Sequence, residues 1–319
     1  MNIPHTTHVY PAKKAKVVNS FIKLSELFLN KTALKVLAES HFETELSWYP
    51  FNSVTDAEAN EYIKTSKVPS TWNINNDLIW IRTVDIIPND NKVTLKGITF
   101  LPTKGSLSGS NVTGLLRGRA ALKLPKNLDT VSYHYLLDAF PVLDIPKHGT
   151  ETSAAFIMNI DKDFDRAARA IKFMVDATDK HIKKFGTTPL NAFLPRFVKN
   201  DNCYLCPANN YIKQHNDNGH SMVIDFLAPP TQNGFYETAE KFVHYFKNGK
   251  DRVRPHWAKR HDNIKGIVDI IHSSYGNNLE LYMKQKQLSG LDPTGVFMNS
   301  YLNQIFCTRG LEKYCGYEV

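Results

Sequence analysis

This sequence predicts an α+β fold, an antiparallel sheet with helices packed mainly on one face. Two observations lead there. The second half alternates strand, helix, strand, strand, helix, the rhythm of an α+β layer. The first half holds aromatic and β-branched runs of strand length. With 319 residues, 42% of them hydrophobic and 22% charged, the chain has ample apolar surface for a sizeable core.

In chain order, Val18 to Ser40 places Phe21, Leu24, Leu27, Phe28, Leu34 and Leu37 near helical spacing, which predicts one or two amphipathic helices. Phe42 to Phe51 and Leu78 to Ile87 read as strands, separated by a polar excursion from Asn52 to Asn76. Lys104 to Arg119, with four glycines and three serines, reads as a loop; no lysine followed by serine or threonine closes it as a phosphate cradle. Ala154 to Ile160 reads as a strand. Asp161 to Lys184 reads as a helix with Phe164, Ala168, Ile171, Met174 and Val175 on one face. Strands follow at Phe193 to Val198 and Ser221 to Leu227, then a helix opening at the Gly234 turn. No repeat is visible at any solenoid period. The organisation expected is a helical segment over residues 1–40 and one domain over 41–319.

Composition excludes several classes. No stretch reaches the ~18 apolar residues of a membrane helix, and the amino terminus lacks a signal-peptide core, so a cytoplasmic protein is expected. The net charge of +8 is spread out, dense only at Lys13 to Lys16 and Arg252 to Arg260, which reads as a solvated surface rather than a nucleic-acid face. Four cysteines make no disulfide scaffold, and Cys203 and Cys206 lack a second pair at zinc spacing, since Cys307 and Cys315 lie eight apart. Reduced, mostly buried thiols are expected. His215, His220 and His261 lack the helical spacing of metal ligands and read as surface histidines. No metal site is expected.

The run Arg254 to His261, R-P-H-W-A-K-R-H, and the run Asp292 to Leu302, D-P-T-G-V-F-M-N-S-Y-L, occur in that order near the carboxyl end. Together they resemble the closing signature of the aldonolactone oxidoreductases of the vanillyl-alcohol-oxidase flavoprotein superfamily. That group includes arabinonolactone and gulonolactone oxidases, alditol oxidases and, more distantly, flavin-linked sterol oxidases. Phe193 to Ala208 is similar to the strand and loop crossing that family's substrate pocket, and Glu45 to Phe51 to the strand opening its substrate-binding cap.

The resemblance implies a cap lying over a flavin, with FAD bound only together with a flavin-binding domain that the pattern here does not include. It implies a flavin-domain polypeptide and a small-molecule substrate as partners. Lys259 takes the position of the family's lysine, where a cation stabilises charge developing on the ring. His256 orients it, Arg196 holds substrate or ring with its forked donors, and Tyr204 lies on the pocket-edge loop. Trp257 serves equally as a pocket wall or as core packing. Where relatives carry a glutamate two positions before the arginine, this chain has Leu194, followed by Pro195. Two functions remain open: the cap of an oxidase acting on a CH–OH group of a lactone, alditol or sterol, and a non-catalytic binding module derived from one.

Overall fold

The computed structural model describes residues 13–65, 67–88, 131–135, 152–209, 217–229, 231–247, 252–290 and 292–315. Its strands are β1 (Lys14–Lys23), β2 (Glu43–Trp48), β3 (Leu78–Ile87), β4 (Val131–Tyr135), β5 (Thr152–Asp161), β6 (Ala192–Lys199), β7 (Asp217–Ala228) and β8 (Val253–Pro255). They form one antiparallel sheet in the order β4-β1-β3-β2-β6-β7-β5-β8. The helices are α1 (Leu24–Leu29), α2 (Lys31–Glu39), α3 (Asp56–Thr65), α4 (Asp165–Phe185), α5 (Phe235–Tyr245), α6 (Ile267–Tyr275), α7 (Asn277–Leu288) and α8 (Ser300–Phe306).

The strand order contains a repeat. Read outward from the middle, the halves run β2-β3-β1-β4 and β6-β7-β5-β8, the second being the first with four added to each strand number. Each is the strand order of a ferredoxin-like β-α-β-β-α-β unit. Equivalent edge strands, β2 and β6, pair antiparallel at the centre, which relates the halves by an approximate two-fold axis. The ladder at this seam is interrupted. Thr44 pairs with Phe197, Glu45 with Arg196 and Trp48 with Phe193, but no pairs form at Leu46 and Ser47. Opposite them stand Leu194 and Pro195, and proline has no N–H to give.

Period-2 alternation divides the sheet into two unlike faces. On one face Trp48, Ile79, Ile81, Phe156, Met158, Phe193, Phe197, Ile224 and Phe226 join a single buried cluster with Ile171 and Met174 of α4 and Phe242 of α5. Each such side chain contributes roughly 1.5–3 kcal/mol by leaving water. The alternate positions carry Glu43, Glu45, Arg82, Arg196 and Asp225.

Several expectations change. Val18 to Lys23 is strand, not helix: it continues β1, paired residue by residue with β3, and helix begins only at Leu24. The apolar spacing that suggested helix there spans a strand-to-helix junction. Residues 14–39 consequently share the sheet and core with the remainder. Helix α4 begins four residues later than expected because Phe164 adopts a left-handed φ of 58°. Gly234, also left-handed, opens α5 as expected; a Cβ there would collide with the His181 ring. The thiol reading is corrected at Cys307 and Cys315, which are disulfide-bonded, their Cα atoms 5.9 Å apart across a tight turn. Cys203 is exposed and Cys206 half-buried rather than core residues. His261, expected at the surface, is buried. The glycine-rich stretch Lys104 to Arg119 lies outside the described residues, as does His215. No helix among the described residues is long and apolar enough to cross a membrane.

One buried carboxylate ties the first half together. Asp77 is fully buried and accepts hydrogen bonds from Trp48 Nε1 (3.0 Å), Phe51 N (3.1 Å), Ser53 N (3.1 Å), Ser53 Oγ (2.5 Å) and Trp72 Nε1 (3.1 Å). Burial pushes its pKa up, and these donors oppose that. Asp77→Ala strands the donors and is expected to cost about 3–5 kcal/mol, with Asp77→Asn costing less, in urea unfolding. A second expectation concerns pH. Burial is the chief cause lowering the pKa of His181, His256, His261 and His272 below the ordinary 6.5. As pH falls through 6.5 the unfolded chain takes up protons that the native state refuses, so stability falls with pH in that window and is restored above it. Denaturation midpoints between pH 5 and 8 measure the slope.

Candidate functional site

The face of the sheet opposite the main helix-packed core bears a hollow of about 610 Å³ at the seam, lined by Glu43, Arg196, Val223, Asp225, His256 and Lys259 among others. The strands place these groups. Arg196 is two residues from Leu194 on β6 and therefore on its face. Asp225 of β7 stands directly opposite Leu194 in the β6–β7 register. After β8, the backbone continues beside β5: His256 N–H donates to Ala155 O (2.9 Å) and Arg260 N–H to Ser153 O (2.9 Å), with a turn closed by Lys259 N–H to His256 O (3.0 Å). That turn delivers His256 and Lys259 to the hollow.

Asp225 is the hub. It is 3% exposed, and its Oδ1 accepts from Ser153 Oγ at 2.6 Å. Its Oδ2 meets Arg196 Nη2 at 3.3 Å and Lys259 Nζ at 3.7 Å. The two cations keep about a third of their side chains open to solvent, 37% and 32%, so they are positioned without being sealed. Arg196 Nε is buried and has no hydrogen-bond partner. His256 Nδ1 accepts from Ala258 N–H (3.2 Å), which leaves the proton of the neutral ring on Nε2. Burial, then Lys259, lowers the His256 pKa, with Asp225 acting in the opposite sense. Glu43, also in the hollow, is pushed up by burial and by Glu45, and its Oε2 has no hydrogen-bond partner.

Sequence reasoning named Arg196, His256 and Lys259, and the structure brings these three together. Trp257 and Tyr204 stand apart from the hollow lining. The Trp257 indole stacks on Phe306 and tilts against Tyr275 while donating to Leu205 O at 2.8 Å, so it packs the carboxyl-terminal helices and braces a loop. Tyr204 is 41% exposed on that loop. Asp225 was missed. Its only sequence signal is an acid in the middle of the apolar run Ser221 to Leu227, and only strand register brings it opposite Leu194.

Residues 163–305 match the family model D-arabinono-1,4-lactone oxidase. Arg196, Asp225, His256 and Lys259 all lie within that segment. Among solved structures, a cholesterol oxidase from B. sterolicum superposes with a TM-score of 0.63 at 13% identity, over 92% of this chain and 60% of that one. A solvent-stable cholesterol oxidase gives 0.61 at 12% identity, with the same coverage. The chain thus has the fold of part of these oxidases and spans about 60% of their length. No curated protein matches the sequence.

The electrostatic coupling within the hollow is measurable without any substrate. The His256 ring is expected to titrate below 6.5 by NMR. Lys259→Met should raise its pKa by removing a like charge, and Asp225→Asn should lower it further by removing a compensating one. A His256 titration indifferent to both variants would break the shared-site geometry.

Proposed function

We propose, from the lactone-oxidase pattern of residues 163–305 and the oxidase-like fold, that this face is the substrate side of an FAD-linked oxidase acting on a CH–OH group. The chain serves as the cap over a flavin-binding domain, whether that domain stands on this polypeptide or on a partner. The observation that supports this reading is the gathering of Arg196, Lys259 and His256 around buried Asp225 in one open hollow.

The residues present fit a flavin's ring rather than its phosphates. Arg196 Nε, buried and unpartnered, is a donor in need of an acceptor, and Lys259 offers a partly exposed cation beside it. FAD, when bound, supplies the hydride acceptor. The chain's own groups supply the remainder. Arg196 and Lys259 stabilise negative charge developing against this face. Asp225 fixes both cations and partly neutralises them, so the hollow is not simply an anion trap. His256, neutral with its proton on Nε2, donates a hydrogen bond to a substrate oxygen. Glu43, with its raised pKa and unpartnered Oε2, takes the hydroxyl proton. The acid that relatives place at the position of Leu194 is replaced here by carboxylates from the neighbouring strands.

The test uses the protein purified from its own cells with any flavin it carries, mixed without oxygen with lactone, alditol or sterol donors. One donor class is expected to bleach the flavin's visible absorbance, and Lys259→Met should slow that step by roughly 10²–10³-fold. Donor binding that leaves the flavin oxidised would instead identify a binding module. Bleaching by Lys259→Met at the native rate would remove the hollow from the chemistry.

A further inference from the structure

Between β6 and β7 the chain forms a short loop, Asp201 to Asn209, that closes on itself. Asp201 N–H donates to Ala208 O (3.3 Å), Cys206 N–H to Cys203 O (3.2 Å), Asn209 N–H to Cys206 O (3.0 Å), and Asn209 Nδ2 to Cys203 O (2.6 Å). From beneath, Arg254 Nη1 donates to Pro207 O (2.6 Å) and Asn209 O (2.7 Å), and Trp257 Nε1 to Leu205 O. The loop is therefore held from outside as well as from within. On it, the Asp201 carboxylate and the Cys203 and Cys206 thiols bring their ligand atoms within 4.8 Å of one another, at the surface.

We propose that Asp201, Cys203 and Cys206 form a binding site for a thiophilic divalent cation, zinc being the natural occupant, with its remaining coordination position open to solvent. Two thiolates and a carboxylate are a donor set suited to a borderline-soft ion. A tetrahedral zinc spaces such ligand atoms roughly 3.6–3.8 Å apart, so side-chain rotation of about an ångström completes the site. Sequence spacing alone argued against a metal, because Cys203 and Cys206 lack a second cysteine pair; the fold supplies Asp201 as a third ligand. The carboxyl-terminal disulfide takes Cys307 and Cys315 out of competition for the ion. Binding releases the thiol protons to solvent and changes no oxidation state. The site lies on the loop braced by Arg254 and Trp257, neighbours in sequence of His256, and is separate from the hollow.

The experiment titrates the full chain, stripped with a chelator and kept under mild reductant, with cadmium and separately with zinc. Cadmium is expected to raise an ultraviolet thiolate-to-metal absorbance that saturates at one equivalent, and zinc in excess should compete with it and diminish the band. Cys203→Ser and Cys206→Ser should abolish the band, and Asp201→Asn should weaken binding by roughly tenfold or more. The paired Cys307→Ser, Cys315→Ser variant should retain it. Three results would overturn the site: no saturation at one equivalent, a band that survives loss of Cys203, or a native Cys203–Cys206 disulfide.

Discussion

Everything in this molecule depends on the register of a sheet with two unlike faces. Successive side chains point opposite ways, so a strand shifted by one residue would drive Arg196 and Asp225 into the aromatic core and turn Phe193 and Phe226 toward water. Burying unpaired charges and exposing such rings costs several kcal/mol per strand. The apolar face thereby fixes where the charged residues stand. The hollow's geometry is set by the packing on the opposite face of the sheet.

The R-P-H-W-A-K run illustrates how one motif serves two purposes. Arg254, 2% exposed, reaches Asn159 Oδ1 at 2.7 Å and the carbonyls of Pro207 and Asn209, and Trp257 locks onto the carboxyl-terminal helices. These two anchor the turn. His256, between the two anchors, and Lys259, two positions past Trp257, project into the hollow. A rigid support beneath reactive groups is what a functional site needs. The motif therefore divides between structure and site.

Much of this was legible beforehand, for physical reasons. Strands β3, β5 and β6 and helix α4 carry strong local periodicity, and the lysine, histidine and arginine of the hollow sit in compact motifs. What was not legible depends on long-range pairing. Asp225 becomes a site residue only because β7 lies beside β6 with Leu194 opposite. Strand β1 was hidden by apolar residues whose spacing runs across its junction with α1. The doubling of the strand order emerges only from the pairing of the strands, since no repeat at a solenoid period is visible in the sequence. The Cys307–Cys315 bond follows from a turn whose closure spacing alone does not reveal.

The interrupted ladder at Pro195 bears on how the chain folds. Each half draws most of its strand contacts from within its own stretch of sequence, residues 14–135 and 152–255, and only β2 and β6 knit the two halves into one sheet. Short-range contacts form first, because closing a long loop must be compensated by contacts that do not yet exist. By sequence separation alone, the seam is the joint expected to close last. A newly made carboxyl-terminal half exposes β6, an edge strand whose partner is already synthesised and waiting. In its middle, Pro195 withholds one of the donors that a wrong partner would need. The residue that weakens the native joint also guards that edge against pairing with another copy.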